Sequence, residues 1–172
     1  MGYIMKFYTD GGCRGNGRSG ATGAAAAVLE KKFGGTTWWT RSLPGYPTPT
    51  NQRAEITGII LALEKALDRY ESLDTRPYLQ LTICTDSKYA IGCMTEWIYK
   101  WTENGWTNTR GCEVVNRDLI EKASRLDDKA ASLGSVRYEW VPRGENEQAD
   151  HLCNKDLDEQ EGNYYSSSES GW

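Results

Sequence analysis

The fold turns on the stretch YIMKFYTDGGCRGNGRSGATGAAAAVLEKKFGGTTWWTRS, Tyr3 to Ser42. Its first seven residues, YIMKFYT, read as a short strand ending at Asp10. GGCRGNGRSG follows, a glycine-dense turn that no helix would tolerate. ATGAAAAVLE, residues 21–30, reads two ways. Its alanines suggest helix, but the TTWWTRS run beyond it, with turn residues between, suggests a pair of strands. The strand reading puts a hairpin at the head of the chain. Any sheet it joins is then mixed.

Beyond Ser42 the pattern alternates. LPGYPTPT is a proline-rich loop whose Thr50 can cap the helix that follows. Residues 51–69, NQRAEITGIILALEKALDR, carry apolar or small residues at helical spacing. Glu55 shares a stripe with Gly58, Ile59, Ala62 and Ala66, the side that packs inward, where an ionised carboxylate is costly unless paired or metal-bound. The plainer alternative is a glutamate at the stripe edge reaching solvent. YLQLTICT (78–85) is a strand ending at Asp86, and SKYAIGCMTEWIYKWT continues as helix. ENGWTNTRG is a turn, and 113–131 reads as helix. VRYEWV (136–141) is a further strand, followed by a loop and a helix from about Glu145 to Leu157. The last stretch, EQEGNYYSSSESGW, has the composition of an unstructured tail. Strands alternating with helices make an α/β domain, and no internal repeat is present.

Composition sets outer limits. A chain of 172 residues, 26% charged and 38% hydrophobic, reads as one soluble domain with a sizeable core. No stretch approaches the ~20 apolar residues of a membrane span, and no charged-then-apolar leader precedes Tyr3, so the expectation is an intracellular protein, cytoplasmic or nuclear. The cysteines, Cys13, Cys84, Cys93, Cys112 and Cys153, are odd in number and form no CxxC pair, which favours reduced thiols over a disulfide framework. Of the 24 acidic residues, five lie between Asp156 and Trp172, where there is no Lys or Arg. Without them 19 acids face 20 bases, a nearly neutral body compatible with a polyanionic partner.

FYTD at Asp10 and ICTD at Asp86 end alike. If the two strands are parallel neighbours, both acids open on the carboxyl edge of the sheet, where α/β proteins place ligands. Glu55, from the intervening helix, and Asp150, from the last helix, could join them. Alone, each strand-end Asp would more often be a turn or cap residue. Four converging carboxylates would repel one another, and Mg²⁺, which prefers oxygen ligands and retains water, would relieve the repulsion. Two such ions about 4 Å apart suit in-line phosphoryl displacement. His151, the only histidine, follows Asp150 directly on a helix and so points about 100° away from it, as an ordinary surface or capping residue does.

YTDGG, TNQRAE, TDSKYAI, WIYKWTENGWTN with VVNRDL, and NEQAD occur in this order. Together they closely resemble the type 1 ribonuclease H family across residues 5–157. The resemblance implies a ribonuclease H-like α/β fold with a five-stranded mixed sheet flanked by helices, residues 1–157 forming the catalytic domain and 158–172 an acidic, serine-rich tail. It also implies endonucleolytic cleavage of the RNA strand of RNA–DNA hybrids with two Mg²⁺ ions (Mn²⁺ as a substitute), leaving 3′-hydroxyl and 5′-phosphate ends. By motif, Asp10, Glu55, Asp86 and Asp150 fall on the metal-binding carboxylates. Asn16, Asn51 and Gln52 match RNA-strand contacts. Tyr89 and Trp101 match the DNA-strand channel, with Trp97 left as core, and Thr50 and Asn116 match a DNA-phosphate grip. The expected partner is a hybrid duplex, with the protein a monomer and no membrane association.

Two departures from the family pattern stand out. Where many relatives carry basic pairs, this chain has Thr102 and Glu103, which predicts a weaker and less salt-dependent grip. The loop before Asp150, VPRGENEQAD, is short and lacks the histidine that assists proton transfer in most members. Arg143 and Glu145 are the residues it offers instead. Two rival readings are a hybrid-binding module without catalysis and another Mg²⁺-dependent nuclease of the same fold.

Overall fold

A computed structural model of the chain describes the backbone of residues 2–169 and side chains as far as residue 162. Strand β1 (Gly2–Arg14) pairs antiparallel with β2 (Thr22–Glu30), which pairs antiparallel with β3 (Thr36–Ser42). On its other edge β1 runs parallel to β4 (Tyr78–Thr85), and β4 parallel to β5 (Gly134–Trp140). The order β3-β2-β1-β4-β5 is the five-stranded mixed sheet expected. ATGAAAAVLE is strand.

The alanine tract serves a sheet covered on both sides. Ala27 and Leu29 face helix α1 (Asn51–Glu71), while Ala26 and Val28 face α5 (Glu147–Glu169). Ala24 to Ala27 are all fully buried, and small side chains let both helices lie close to the strand. The main core joins Phe7, Leu79, Leu81 and Ile83 of the sheet to Ile56, Ile59, Ile60 and Leu63 of α1 and to Ile120 and Ala123 of α4 (Arg117–Leu133). No helix among the described residues is long and apolar enough to cross a membrane. All five cysteines are free thiols, as expected.

Three sequence readings need correction. β1 does not stop at Asp10. Its ladder with β2 continues through Gly11↔Ala25 and Gly12↔Ala24 to Arg14↔Thr22, so the first four of the ten residues of the supposed glycine turn are strand. The long second helix is interrupted: α2 (Lys88–Gly92) and α3 (Ile98–Glu103) are joined by a π-helical turn, Cys93–Trp97. The last helix does not end at Leu157 but continues to Glu169. Arg14 anchors this extension with bonds of 2.8 Å to Asp158 and 3.0 Å to Glu161, and Gln160 donates to the Gly23 carbonyl. The acids that looked like an unpaired run have a distant cation. The tail reading for residues 170–172 lies outside the described residues.

Candidate active site and nucleic-acid interface

The parallel ladder between β1 and β4 ends at Thr9↔Thr85, so Asp10 and Asp86 are the next residues along two adjacent strands. Both carboxylates therefore emerge side by side at the carboxyl edge of the sheet. Helix α1 is brought against this edge by two glycines. A Cβ on Gly11 would collide with the Ala54 carbonyl and the Glu55 backbone nitrogen, and one on Gly58 would stand 2.9 Å from the Asp10 carbonyl oxygen. Only with both positions bare can α1 cross β1 at backbone contact, which delivers half-buried Glu55 to Asp10 and Asp86.

Asp150 arrives from the opposite face. Asn146, nearly fully buried, donates through Nδ2 to the Thr9 carbonyl at 2.9 Å, and its own carbonyl accepts from the Asp150 N–H at 3.1 Å. The start of α5 is thereby fixed one residue from Asp10. Ser87 does a similar service for Glu55. Its hydroxyl donates to Glu55 Oε2 at 2.7 Å while accepting the Ala90 N–H as the cap of α2. The Trp140 indole closes the edge by donating to the Asp86 carbonyl at 3.2 Å.

The electrostatics match this convergence. Burial, the neighbouring charge of Asp86 and then Asp150 push the Asp10 carboxyl up to about 7, against the opposing bond from the Gly11 N–H. Burial also raises Glu55; its bond from Ser87 opposes this, Asp86 adds to it, and Arg143 offsets part. Arg143 is the one cation among the described residues in contact with the group, its Nε 3.7 Å from Asp86 Oδ2 on a side chain 89% exposed. Sequence reasoning offered it only as a stand-in for the missing loop histidine. The short loop does carry a charged group to the crevice. His151, by contrast, is exposed on α5 and has no hydrogen bond among the described residues.

An all-oxygen, self-repelling donor set with one peripheral cation fits a hard divalent ion. Among the described residues no three His, Cys, Asp or Glu side chains are already closed around a common point, so Asp10, Asp86, Asp150 and Glu55 share a crevice without forming a finished coordination shell.

The candidate substrate contacts form two groups. Asn16, in the β1–β2 turn, accepts the Asn51 N–H at 2.9 Å, tying that turn to the start of α1, which Thr50 caps through a bond from Arg53 N. Asn116, with a left-handed φ of 65°, donates to the Tyr89 hydroxyl at 3.0 Å and to Gln52 Oε1 at 3.4 Å. Gln52 thus meets Tyr89 and Asn116, although its motif match set it with Asn16 and Asn51. Arg53, which the sequence reading passed over, fixes this cluster. Its guanidinium bonds Asp118 at 2.9 and 2.7 Å and Asn116 at 3.4 Å, and it holds the Asp118 carboxyl below the usual range. Arg53→Ala is expected to cost about 1–3 kcal/mol in chemical denaturation, because a buried guanidinium and its fork of bonds are lost together.

Beside this cluster lies a groove of about 500 Å³, lined by Tyr89, Trp97, Trp101, Asn104 and Val115. Trp101 is half-buried and stacks on Trp106, with centroids 6.1 Å apart. Trp97 is a correction: 37% exposed, it lines the groove instead of sitting in the core, because the π-helical turn rotates it over the bare Cα of Gly92.

Fold and crevice together define an α/β domain of the ribonuclease H-like class. The RNase H family model matches residues 3–158. The ribonuclease H of Pseudomonas savastanoi pv. phaseolicola is 34% identical over 94% of this chain and 98% of its own length. That of Halorhodospira halophila is 37% identical over 91% and 94%. The crystal structure of RNase H1 from Halobacterium salinarum superposes with a TM-score of 0.60 at 26% identity, covering 91% of this chain and 99% of that one. The chain belongs to the RNase H family.

Proposed function

We propose that this enzyme hydrolyses the RNA strand of RNA–DNA hybrids at the carboxylate crevice, leaving 3′-hydroxyl and 5′-phosphate ends, with divalent cations held by Asp10, Glu55, Asp86 and Asp150. The observation that carries the reading is the convergence of Asp10, Asp86 and Asp150 at one sheet edge, where burial and then the neighbouring charges hold Asp10 far above an ordinary carboxylate. When bound, two Mg²⁺ ions, or Mn²⁺ in their place, supply an activated water and a counter-charge for the leaving oxygen.

The chain's own groups do the positioning. Asp10 and Asp86, on rigid strands, define the point of cleavage, and Ser87 orients Glu55 beside them. Asn16 and Asn51 present amides suited to a 2′-hydroxyl, the group that distinguishes RNA from DNA. The Tyr89–Trp97–Trp101 groove offers flat apolar surface to the other strand, Thr50 offers an uncharged donor to a phosphate, and Asn116 would do so by giving up its bond to Gln52. None of these reads a base edge, so cleavage is expected to be independent of sequence.

The test compares labelled hybrid, duplex DNA and duplex RNA in Mg²⁺ and in EDTA. Cutting of hybrid alone, in Mg²⁺ alone, is the expected result; binding without cutting in both would leave only a binding module. Trp101→Ala should raise KM for hybrid about 10-fold with kcat less affected, since a stacking surface contributes on the order of 1–3 kcal/mol. His151→Ala should cleave within about twofold of the parent from about pH 6 to about pH 9, because its side chain is exposed and bonds none of the crevice residues among those described.

A further inference from the structure

At the end of the sheet remote from the carboxylates, a hollow of about 580 Å³ opens between the start of β1 and the end of β2. The lining residues Gly2 and Lys6 are eight and four residues from Asp10 on one strand, which places the hollow about 13–26 Å from the crevice. Lys6, Lys31, Lys32 and Arg69 line it, with Glu30 the one acid. Arg69 Nε is buried and has no hydrogen-bond partner among the described residues.

The positive surface extends beyond the rim through aromatic rings. Arg69 and Lys65 both lie over Trp39, at 5.6 and 5.9 Å. Arg76 lies over Tyr70, whose ring meets Tyr3 in the wall of the hollow. Lys32 lies over Phe33, which at 95% exposure stands out into solvent from the β2–β3 turn.

None of these six cations lies within 4.0 Å of a carboxylate among the described residues, whereas Arg14, Arg41, Arg53, Arg117, Lys122, Lys129 and Arg143 all do. The hollow and its rim thus hold six of the thirteen cations that have no carboxylate partner among the described residues; the other seven are Arg18, Lys88, Lys100, Arg110, Arg125, Arg137 and Lys155. The helix beside the aromatic groove carries Lys100 with Glu103 and no excess of positive charge. With no net charge on the helix at the aromatic groove, a cluster of unpaired cations away from it adds to the attraction for a polyanion.

We propose that this basic hollow is a second contact for the phosphate backbone of nucleic acid, outside the crevice, with Phe33 and Tyr3 available as stacking surfaces for a base. The proposal rests on the nucleic-acid reading of the protein but not on catalysis. It predicts that affinity rises with substrate length beyond what the crevice and groove cover. Each phosphate held should add close to one to the slope of log affinity against log salt.

Binding is measured by fluorescence anisotropy in EDTA on hybrids of about 12 and about 40 base pairs, for the parent, for Lys31→Glu/Lys32→Glu, and for that pair with Arg69→Gln. The lysines are exposed turn residues, so the double variant keeps the test open should loss of Arg69 disturb packing. The expected result is a long-hybrid affinity about 10-fold weaker in both variants and a salt slope smaller by about 2, with Mg²⁺-dependent turnover on the short hybrid unchanged. Unchanged affinity and slope in the variants would overturn the proposal. So would loss of binding to a polyglutamate peptide with no loss toward the long hybrid, which would mark the hollow as a site for acidic protein segments. Failure of the parent to cleave the short hybrid would count against the catalytic reading alone.

Discussion

Replacing Asp10 with asparagine is expected to abolish cleavage and, at the same time, to make the protein more stable. Burial and the Asp86 charge raise this carboxyl from its ordinary 3.8 to about 7. The sign follows from linkage. A carboxyl whose pKa is higher in the folded chain than in the unfolded one binds its proton more tightly when folded. Stability is therefore lost as pH rises from about 4 through about 7, and the loss is complete above that window. Asp10→Asn removes the ionisation and keeps the shape. Parent and variant should unfold alike near pH 4 and separate above pH 7, with the variant ahead by about 2–4 kcal/mol. Mg²⁺ should raise the parent's Tm more than the variant's, since a cation that binds only the folded carboxylates stabilises by mass action. Cleavage should fall by a factor on the order of 10³ or more, as when a group that acts in a unit is removed. Denaturation at two pH values and a cleavage assay read all three effects. A variant that is less stable at pH 8, or that cuts normally, would refute the assignment.

The placement of these carboxylates, as distinct from their role, was partly legible in the sequence. Asp10 and Asp86 could be placed together because each closes an apolar run, and the parallel ladder pairs the residues just before them. Glu55 was legible because helical periodicity alone places it on the inward stripe. What sequence missed depends on partners far along the chain. Gly11 to Arg14 looked like a turn because glycine favours one locally, yet the ladder with residues 22–25 makes them strand. The Ala24–Ala27 tract was ambiguous because its strand character comes from helices on both faces, one of them more than a hundred residues away. The acidic stretch after Leu157 read as unpaired because Arg14, its counter-charge, is 144 residues from Asp158 in sequence. Ser87 and Asn146 each had a visible signal, a cap position after Asp86 and an amide ahead of the last helix. Nothing local said that one would hold Glu55 and the other the backbone of Thr9.

The adjacent glycines of the β1 motif should respond very unequally to the same substitution. At Gly11 an added Cβ meets the backbone of Ala54 and Glu55, atoms that cannot turn aside as a side chain can. Gly11→Ala must therefore drive α1 off the sheet by an ångström or so, opening the packing of Ile56, Ile59 and Ile60 against Phe7. The cost is expected to be about 3–5 kcal/mol, the upper range for overpacking a core. In molecules that still fold, Glu55 rides outward with the helix while Asp10 and Asp86 stay on the sheet. A misplacement near 1 Å within a catalytic group costs on the order of 100-fold in rate. At Gly12 the nearest atom to the added Cβ is Leu157 Cδ1 at 3.6 Å, an ordinary contact with a movable methyl. Gly12→Ala should change stability by about 1 kcal/mol or less and leave cleavage near the parent's. Denaturant midpoints and initial rates at saturating substrate separate the two. Equal damage at both positions would mean that the motif is constrained by backbone conformation, and not by the approach of α1 that carries Glu55 into the crevice.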